Sequence, residues 1–293
     1  MLLLRVMLGV AFYTLMERKM IGYTQSRKGP NKSAMLGIIQ PIADAIKLIA
    51  KEANLNLKSN LTLFLLTPLI NIRCSLITWI VIPFAFTRSF IKMSIMFMLS
   101  CIAVNTLVII IIRWSSNSNY AFIGMMRAVS QIISYEINLI MMMMIIISLT
   151  EKLDFLPKIE IVSMTIVTFP IIIVWISTIL AETNRTPFDF SEGESELISG
   201  FNVEYGGPSF IILFLAEYTR ILLMRYVTVC IFFNTRNYNF MFYALYFSIC
   251  CIFIWSRTTL PRFRYDKLMK INWTQILPIT TVAMICTFIT KMY

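Results

Sequence analysis

Apolar runs of about twenty residues recur along the whole chain, separated by short polar stretches. Such a run matches the roughly 30 Å thickness of bilayer hydrocarbon when it is helical. The pattern predicts eight transmembrane helices at about 1–17, 61–82, 91–113, 128–150, 160–181, 207–228, 239–256 and 272–292. The first is short for a span and carries Arg5. It lacks a small-residue cleavage site and runs straight into Glu17-Arg18-Lys19, which excludes a secretory signal. After it, Ile38 to about Glu52 shows a second periodicity. Ile38, Ile42, Ile46 and Ile49 share one face, while Gln40, Asp44, Lys47 and Lys51 line the other. This segment is too short to span, so it reads as an amphipathic helix lying in the interface plane. The fold class is thus an all-α integral membrane protein in a single polytopic domain, 1–293.

Composition agrees: charged residues make up 14% of the chain and the mean hydropathy is +0.76. A soluble domain carries about 25% charged residues. More than half of the Lys and Arg fall in the segments 18–60, 114–127, 182–206 and 257–271. The positive-inside rule places these on the cytoplasmic side, or its mitochondrial equivalent, the matrix, with both termini opposite. The net charge of +11 is therefore a topology signal and an attraction to anionic lipid, with no nucleic-acid partner implied. Histidine is absent, and the six cysteines show no C-x-x-C spacing. Neither a metal site nor a redox cofactor of the chain's own is expected, and no glycine-rich phosphate loop is present.

Candidate chemistry concentrates in Ala181–Glu196, where Glu182, Asp189, Glu192, Glu194 and Glu196 put five carboxylates into sixteen residues. Asp189, Glu192 and Glu196 are spaced i, i+3, i+7 and would share one face of a helical turn. Like charges so close raise one another's pKa and let protons exchange near neutral pH. Within the spans, Glu136 lies beside a polar stripe of Gln131, Tyr135 and Asn138, and Glu217 sits one turn from Arg220. A charge in hydrocarbon is costly, which marks Glu136 as a proton-handling candidate and leaves Glu217–Arg220 readable as a structural ion pair. The basic segment with Arg257, Arg262 and Arg264 lies on the same predicted side as the acidic one. It can dock there and neutralise it, or bind cardiolipin headgroups.

Four motifs in order carry a family resemblance: Glu17-Arg-Lys with Arg27-Lys-Gly-Pro-Asn-Lys32; Gln40-Pro-Ile-Ala-Asp-Ala-Ile-Lys47; Ala181-Glu-Thr-Asn-Arg with Glu192-Gly-Glu-Ser-Glu-Leu and Phe201-Asn-Val-Glu-Tyr205; and Leu260-Pro-Arg-Phe-Arg-Tyr-Asp266. Over nearly its full length the chain resembles the subunit 1 family of the membrane arm of respiratory NADH:ubiquinone oxidoreductase, complex I, of mitochondrial type. A short N-terminus is the one departure and touches no motif. The resemblance implies a ubiquinone access tunnel lined by Arg18, Arg27, Asp44 and Arg262. It also implies a proton relay through Glu136, Glu182, Asp189, Glu192, Glu194, Glu196, Glu204 and Glu217, with Arg185, Arg257 and Arg264 as supporting cations. Implied partners are the hydrophilic-arm subunits that hold FMN, the iron–sulfur clusters and the quinone headgroup site, the neighbouring membrane-arm subunits, and lipid. Implied localisation is the mitochondrial inner membrane. A membrane-bound hydrogenase subunit shares several of these motifs. However, a chain crowded with Ile, Met, Phe and Asn and poor in Gly and Ala fits an AT-rich mitochondrial genome. A stand-alone proton-coupled transporter would need broken helices in paired repeats, and the sequence has none. If the acidic face titrates as a unit, Glu192→Gln depresses quinone reduction in a complex that still assembles. Turnover at the unaltered rate would contradict this.

Overall fold

The computed structural model describes residues 2–52, 59–82, 93–151, 153, 161–189, 205–233 and 240–292. Among these, every regular element is a helix. In order they are α1 (Leu2–Thr24), α2 (Gln40–Ile49), α3 (Leu61–Ile77), α4 (Ser94–Ser115), α5 (Asn119–Thr150), α6 (Ile161–Glu182), α7 (Pro208–Phe232), α8 (Phe240–Thr259), α9 (Tyr265–Ile271) and α10 (Leu277–Met292). Helices thus overlap all eight apolar runs and the amphipathic segment. Five described stretches are long and apolar enough to cross a membrane: Leu61–Val81, Ser94–Ser115, Asn119–Thr150, Phe240–Thr259 and Tyr265–Lys291. The protein is an all-α membrane protein.

Three helical stretches extend seven or more residues beyond their apolar runs. α1 continues through Glu17-Arg18-Lys19 to Thr24, because Glu17 is buried against partners from other helices and does not end the helix in water. α5 begins at Asn119, inside the stretch expected as a loop, where Tyr120-Ala-Phe-Ile-Gly-Met-Met126 sustains an apolar pattern ahead of Arg127. α9 runs into α10 through a π turn over Asn272–Ile276. Pro278 accounts for that turn: it has no N–H for the carbonyl four residues back, and its ring crowds that carbonyl.

The core forms where α5, α6, α7 and α10 meet, with Tyr135, Leu139, Met142, Trp175 and Ile179 nearly inaccessible. Trp175 meets the edge of Phe232 at 5.8 Å. Across this core the Gln131, Tyr135, Asn138 stripe faces inward, and its hydrogen bonds are structural. Gln131 Nε2 donates to the carbonyls of Ala181 (2.9 Å) and Phe188 (2.8 Å). Asn138 Nδ2 donates to Asn272 Oδ1, and Asn272 Nδ2 donates to the Ser134 carbonyl at 2.9 Å. Burying the Asn138 and Asn272 amides unpaired in an apolar interior would cost a few kcal/mol each, so their hydrogen bonds fix α5 against the π turn. Asn272→Leu removes that contact and is expected to destabilise the α5–α10 packing by about 1–2 kcal/mol. Limited proteolysis within 260–264 should then run faster than in the unaltered protein.

Candidate functional site

A cavity of about 640 Å³ opens between α1, α2 and the start of α7. Val10, Ile21, Leu48, Phe210, Ile211 and Phe214 give it apolar walls; Glu17, Arg18, Arg27, Asp44, Tyr218 and Arg257 give it polar ones. α2 closes one side with Pro41, Asp44, Ala45 and Leu48 turned inward, while Lys47 and Lys51 of the polar stripe are exposed. Arg18 Nη1 meets Asp44 Oδ2 at 2.5 Å, and Gln40 Nε2 donates to Asp44 Oδ1 at 2.8 Å. The isoleucine face, Ile38, Ile42, Ile46 and Ile49, points away from the protein and is exposed. Pro41 at the helix start suits the first turn, where an N–H has no acceptor. The loop leading to α2 lies directly on α1 because both contact points are glycine. A Cβ at Gly22 would stand 2.9 Å from the Gly29 nitrogen, and one at Gly29 would stand 2.9 Å from the Lys19 Cα. This close approach puts Arg27 and Pro30 in the cavity wall.

The inner end of the cavity is closed by an ionic cluster around Glu17, which is 4% exposed. Arg257 Nη1 donates to its carboxylate, Arg185 Nη1 donates to it at 3.2 Å, and Tyr218 Oη donates to it at 2.9 Å. The Arg185 guanidinium lies 4.5 Å above the Tyr218 ring. Burial works against the charge on Arg185, but the Glu17 carboxylate and Tyr218 more than offset this and raise its pKa above the ordinary guanidinium value. Arg185 is therefore a permanent cation.

Behind this cluster lies a second, smaller cavity of about 110 Å³, bounded by α3, α4, the end of α6 and α7. Glu182 and Glu217 line it, together with Arg113 and Arg220, and Phe214, Tyr218 and Arg257 are shared with the first cavity. The two cavities are thus neighbours through one wall of side chains. Glu217 and Arg220 interact electrostatically without closing into a direct ion pair. Glu136, half-buried on α5, lies outside the cavity lining but within electrostatic reach of Glu182. Arg113 is 2% exposed, and its Nη1 donates to the Gly124 carbonyl at 2.9 Å.

Arg18, Arg27 and Asp44 come together in the large cavity. Arg262 does not line it: its Nη2 lies 3.5 Å from Asp189 Oδ2 instead. That pair belongs to a docking of the basic and acidic segments. Phe263 N donates to the Pro187 carbonyl at 3.1 Å, and the Phe188 and Phe263 rings pack 5.7 Å apart. Arg185 and Arg257 join the Glu17 cluster, whereas Arg264 is exposed at the start of α9. Glu192, Glu194, Glu196 and Glu204 lie outside the described residues, and so does most of the i, i+3, i+7 face. No disulfide joins the described cysteines, and no group of three metal-ligating side chains occurs among the described residues. Sequence reasoning missed Glu17, Arg113 and Tyr218. Glu17 and Arg113 stand at the margins of apolar runs, where a charge reads as the end of a span. Tyr218 carries no charge to draw notice, although its place beside Glu217 was a usable signal.

The profile of the NADH dehydrogenase family matches residues 1–288. A protein of Anopheles gambiae named NADH-ubiquinone oxidoreductase chain 1 is 46% identical over 283 residues, covering 96% of this chain and 90% of that protein. Proteins of the same name from Apis mellifera ligustica and Nycticebus coucang are each 40% identical. The first aligns over 99% of this chain and 95% of its own, the second over 96% and 91%.

The Glu17 cluster predicts an asymmetry between its members. Glu17→Gln leaves Arg185, whose side chain is only 17% exposed, without its counter-charge and should destabilise the protein by about 3 kcal/mol. Arg257→Gln removes a cation whose side chain is 38% exposed and should cost about 1 kcal/mol or less. Graded heating of the membranes, followed by native electrophoresis, would rank the two.

Proposed function

Because this chain belongs to the NADH dehydrogenase family, we propose that its large cavity is the passage by which ubiquinone reaches the reducing site, and that the adjoining acidic cavity starts a proton relay. The chain is a membrane subunit of NADH-ubiquinone oxidoreductase and a multi-pass protein of the mitochondrial inner membrane. Its partners include other subunits of that complex. The names of the relatives favour this over a hydrogenase-type subunit or a stand-alone transporter. In our reading, electrons come from iron–sulfur clusters in hydrophilic-arm subunits, fed in turn by FMN, and this chain guides the quinone and answers its change of charge.

The observation that carries the reading is the adjacency of the two cavities across Phe214, Tyr218 and Arg257. A long isoprenoid tail with a small polar headgroup needs an apolar channel that ends in a few fixed polar groups. The wall of the larger cavity supplies both, with Arg18 and Asp44 held together at one side. Reduction consumes two electrons and two protons, so charge changes sharply at the inner end. The Glu17 cluster lies between that event and Glu182 and Glu217. A proton taken up on the quinone side shifts the field on these carboxylates, and one pKa unit corresponds to about 1.4 kcal/mol. Passing that shift to Glu136 and onward is a linkage between sites and needs no electron transfer through this chain. Asp189, Glu192, Glu194, Glu196 and Glu204 extend the same acidic reservoir in our reading, with Arg262 as the counter-cation of Asp189.

Asp44→Asn tests the passage. It removes the negative partner of Arg18, so the Michaelis constant for a short-chain quinone should rise severalfold, while NADH oxidation by ferricyanide, which needs only the hydrophilic arm, stays constant. Parallel loss of both activities would mean failed assembly. An unchanged Michaelis constant in the intact complex would remove Asp44 from the passage.

A further inference from the structure

The small cavity contains amide groups that the relay as described does not use. Asn71 on α3 and Asn105 on α4 are each 2% exposed and line it together with Glu182 and Glu217. Asparagine within a helix bundle commonly serves as interhelical glue, and here Asn138 donates to Asn272 while Asn272 donates to the Ser134 carbonyl. Asn71 and Asn105 differ. Asn71 Oδ1 and both polar atoms of the Asn105 side chain are buried with no hydrogen-bond partner among the described residues. Glu182 Oε2 and Asn184 Oδ1, on the same cavity, share that condition. Five such atoms facing one cavity are more than packing explains, since buried polar groups in folded proteins are almost always hydrogen-bonded.

We propose that Asn71 and Asn105 anchor a short chain of water molecules that carries protons between Glu182 and Glu217, and so act as positioning residues for proton transfer. The volume of about 110 Å³ holds three or four waters at roughly 30 Å³ each. The amides offer two acceptor oxygens and donor N–H groups, which is what a bound water needs on more than one side. Because neither amide titrates in the physiological range, the pair orients the chain without trapping a proton on itself. The proposal rests on the relay reading given above but concerns α3 and α4, which the quinone does not touch in that reading.

The test uses the assembled complex in sealed membrane vesicles, unaltered or carrying Asn105→Leu or Asn105→Ser. Leucine is similar in volume and presents no polar atom, whereas serine restores a hydrogen bond to water. With Asn105→Leu, quinone-reductase turnover and proton uptake should both fall roughly tenfold, which corresponds to about 1.4 kcal/mol on the barrier. The Michaelis constant for quinone should stay constant, and Asn105→Ser should recover most of the rate. Unaltered turnover in Asn105→Leu, or equal losses with leucine and serine, would overturn the proposal. A density map of the unaltered complex at a resolution that shows water gives a second readout, independent of whether a variant assembles. Peaks within hydrogen-bond distance of Asn105 and Glu182 are expected, and a dry cavity would overturn the proposal. A changed Michaelis constant in Asp44→Asn bears on the quinone passage alone, so the two readings fail separately.

Discussion

One buried carboxylate holds this structure together where its two cavities meet. Glu17 accepts hydrogen bonds from Arg185, Arg257 and Tyr218, which belong to the turn after α6, to α8 and to α7. Four parts of the chain, separated by up to 240 residues, therefore converge on one group. Burying a charge is unfavourable unless partners replace its water, and here three do so at once. The arrangement is self-consistent: the cations need Glu17 as much as it needs them. The length of α1, the closed end of the large cavity and the wall of the small one all follow from it.

Away from this cluster the protein handles charge differently. Arg225, 2% exposed on α7, lies between two aromatic rings, with its guanidinium carbon 4.3 Å from Tyr13 and 4.6 Å from Phe253. Cation–π contacts of this kind are worth about 2 kcal/mol when desolvated. They fasten α7 to α1 and α8 without a carboxylate. The acids are thus concentrated on the side of the two cavities, while the middle of the α1–α7–α8 seam holds a fixed cation.

Much of the fold was legible because hydrophobic runs and an amphipathic segment are local signals with a single physical cause. Eight apolar runs became helices since a backbone in an apolar medium must satisfy its own hydrogen bonds. The inward direction of Asp44 followed from its position opposite four isoleucines. The docking of the basic segment on the acidic one was legible from their opposite charge and shared side, but the individual partners were not. That Arg262 meets Asp189, or that Gln131 and Asn138 fasten other segments, depends on where distant helices meet, and periodicity carries no such information. Glu17 was hidden for a related reason: a charge at the end of an apolar run looks solvated until its partners are known. Helix ends were similarly obscured at Asn119, where one arginine in an apolar stretch resembled a loop.

The inverted orientation of α2 has a consequence for the environment of the cavity. A ten-residue helix whose isoleucines face outward is held from within by the Arg18–Asp44 contact, and in a bilayer its exposed apolar face would lie against acyl chains. The bilayer is accordingly a building material of the cavity's rim. Lateral pressure, acyl-chain order and the exchange of lipid for detergent all act on α2 directly. The rim of the cavity is then shaped by the chain and its surrounding lipid together, and exchanging lipid for detergent changes what supports the outer face of α2.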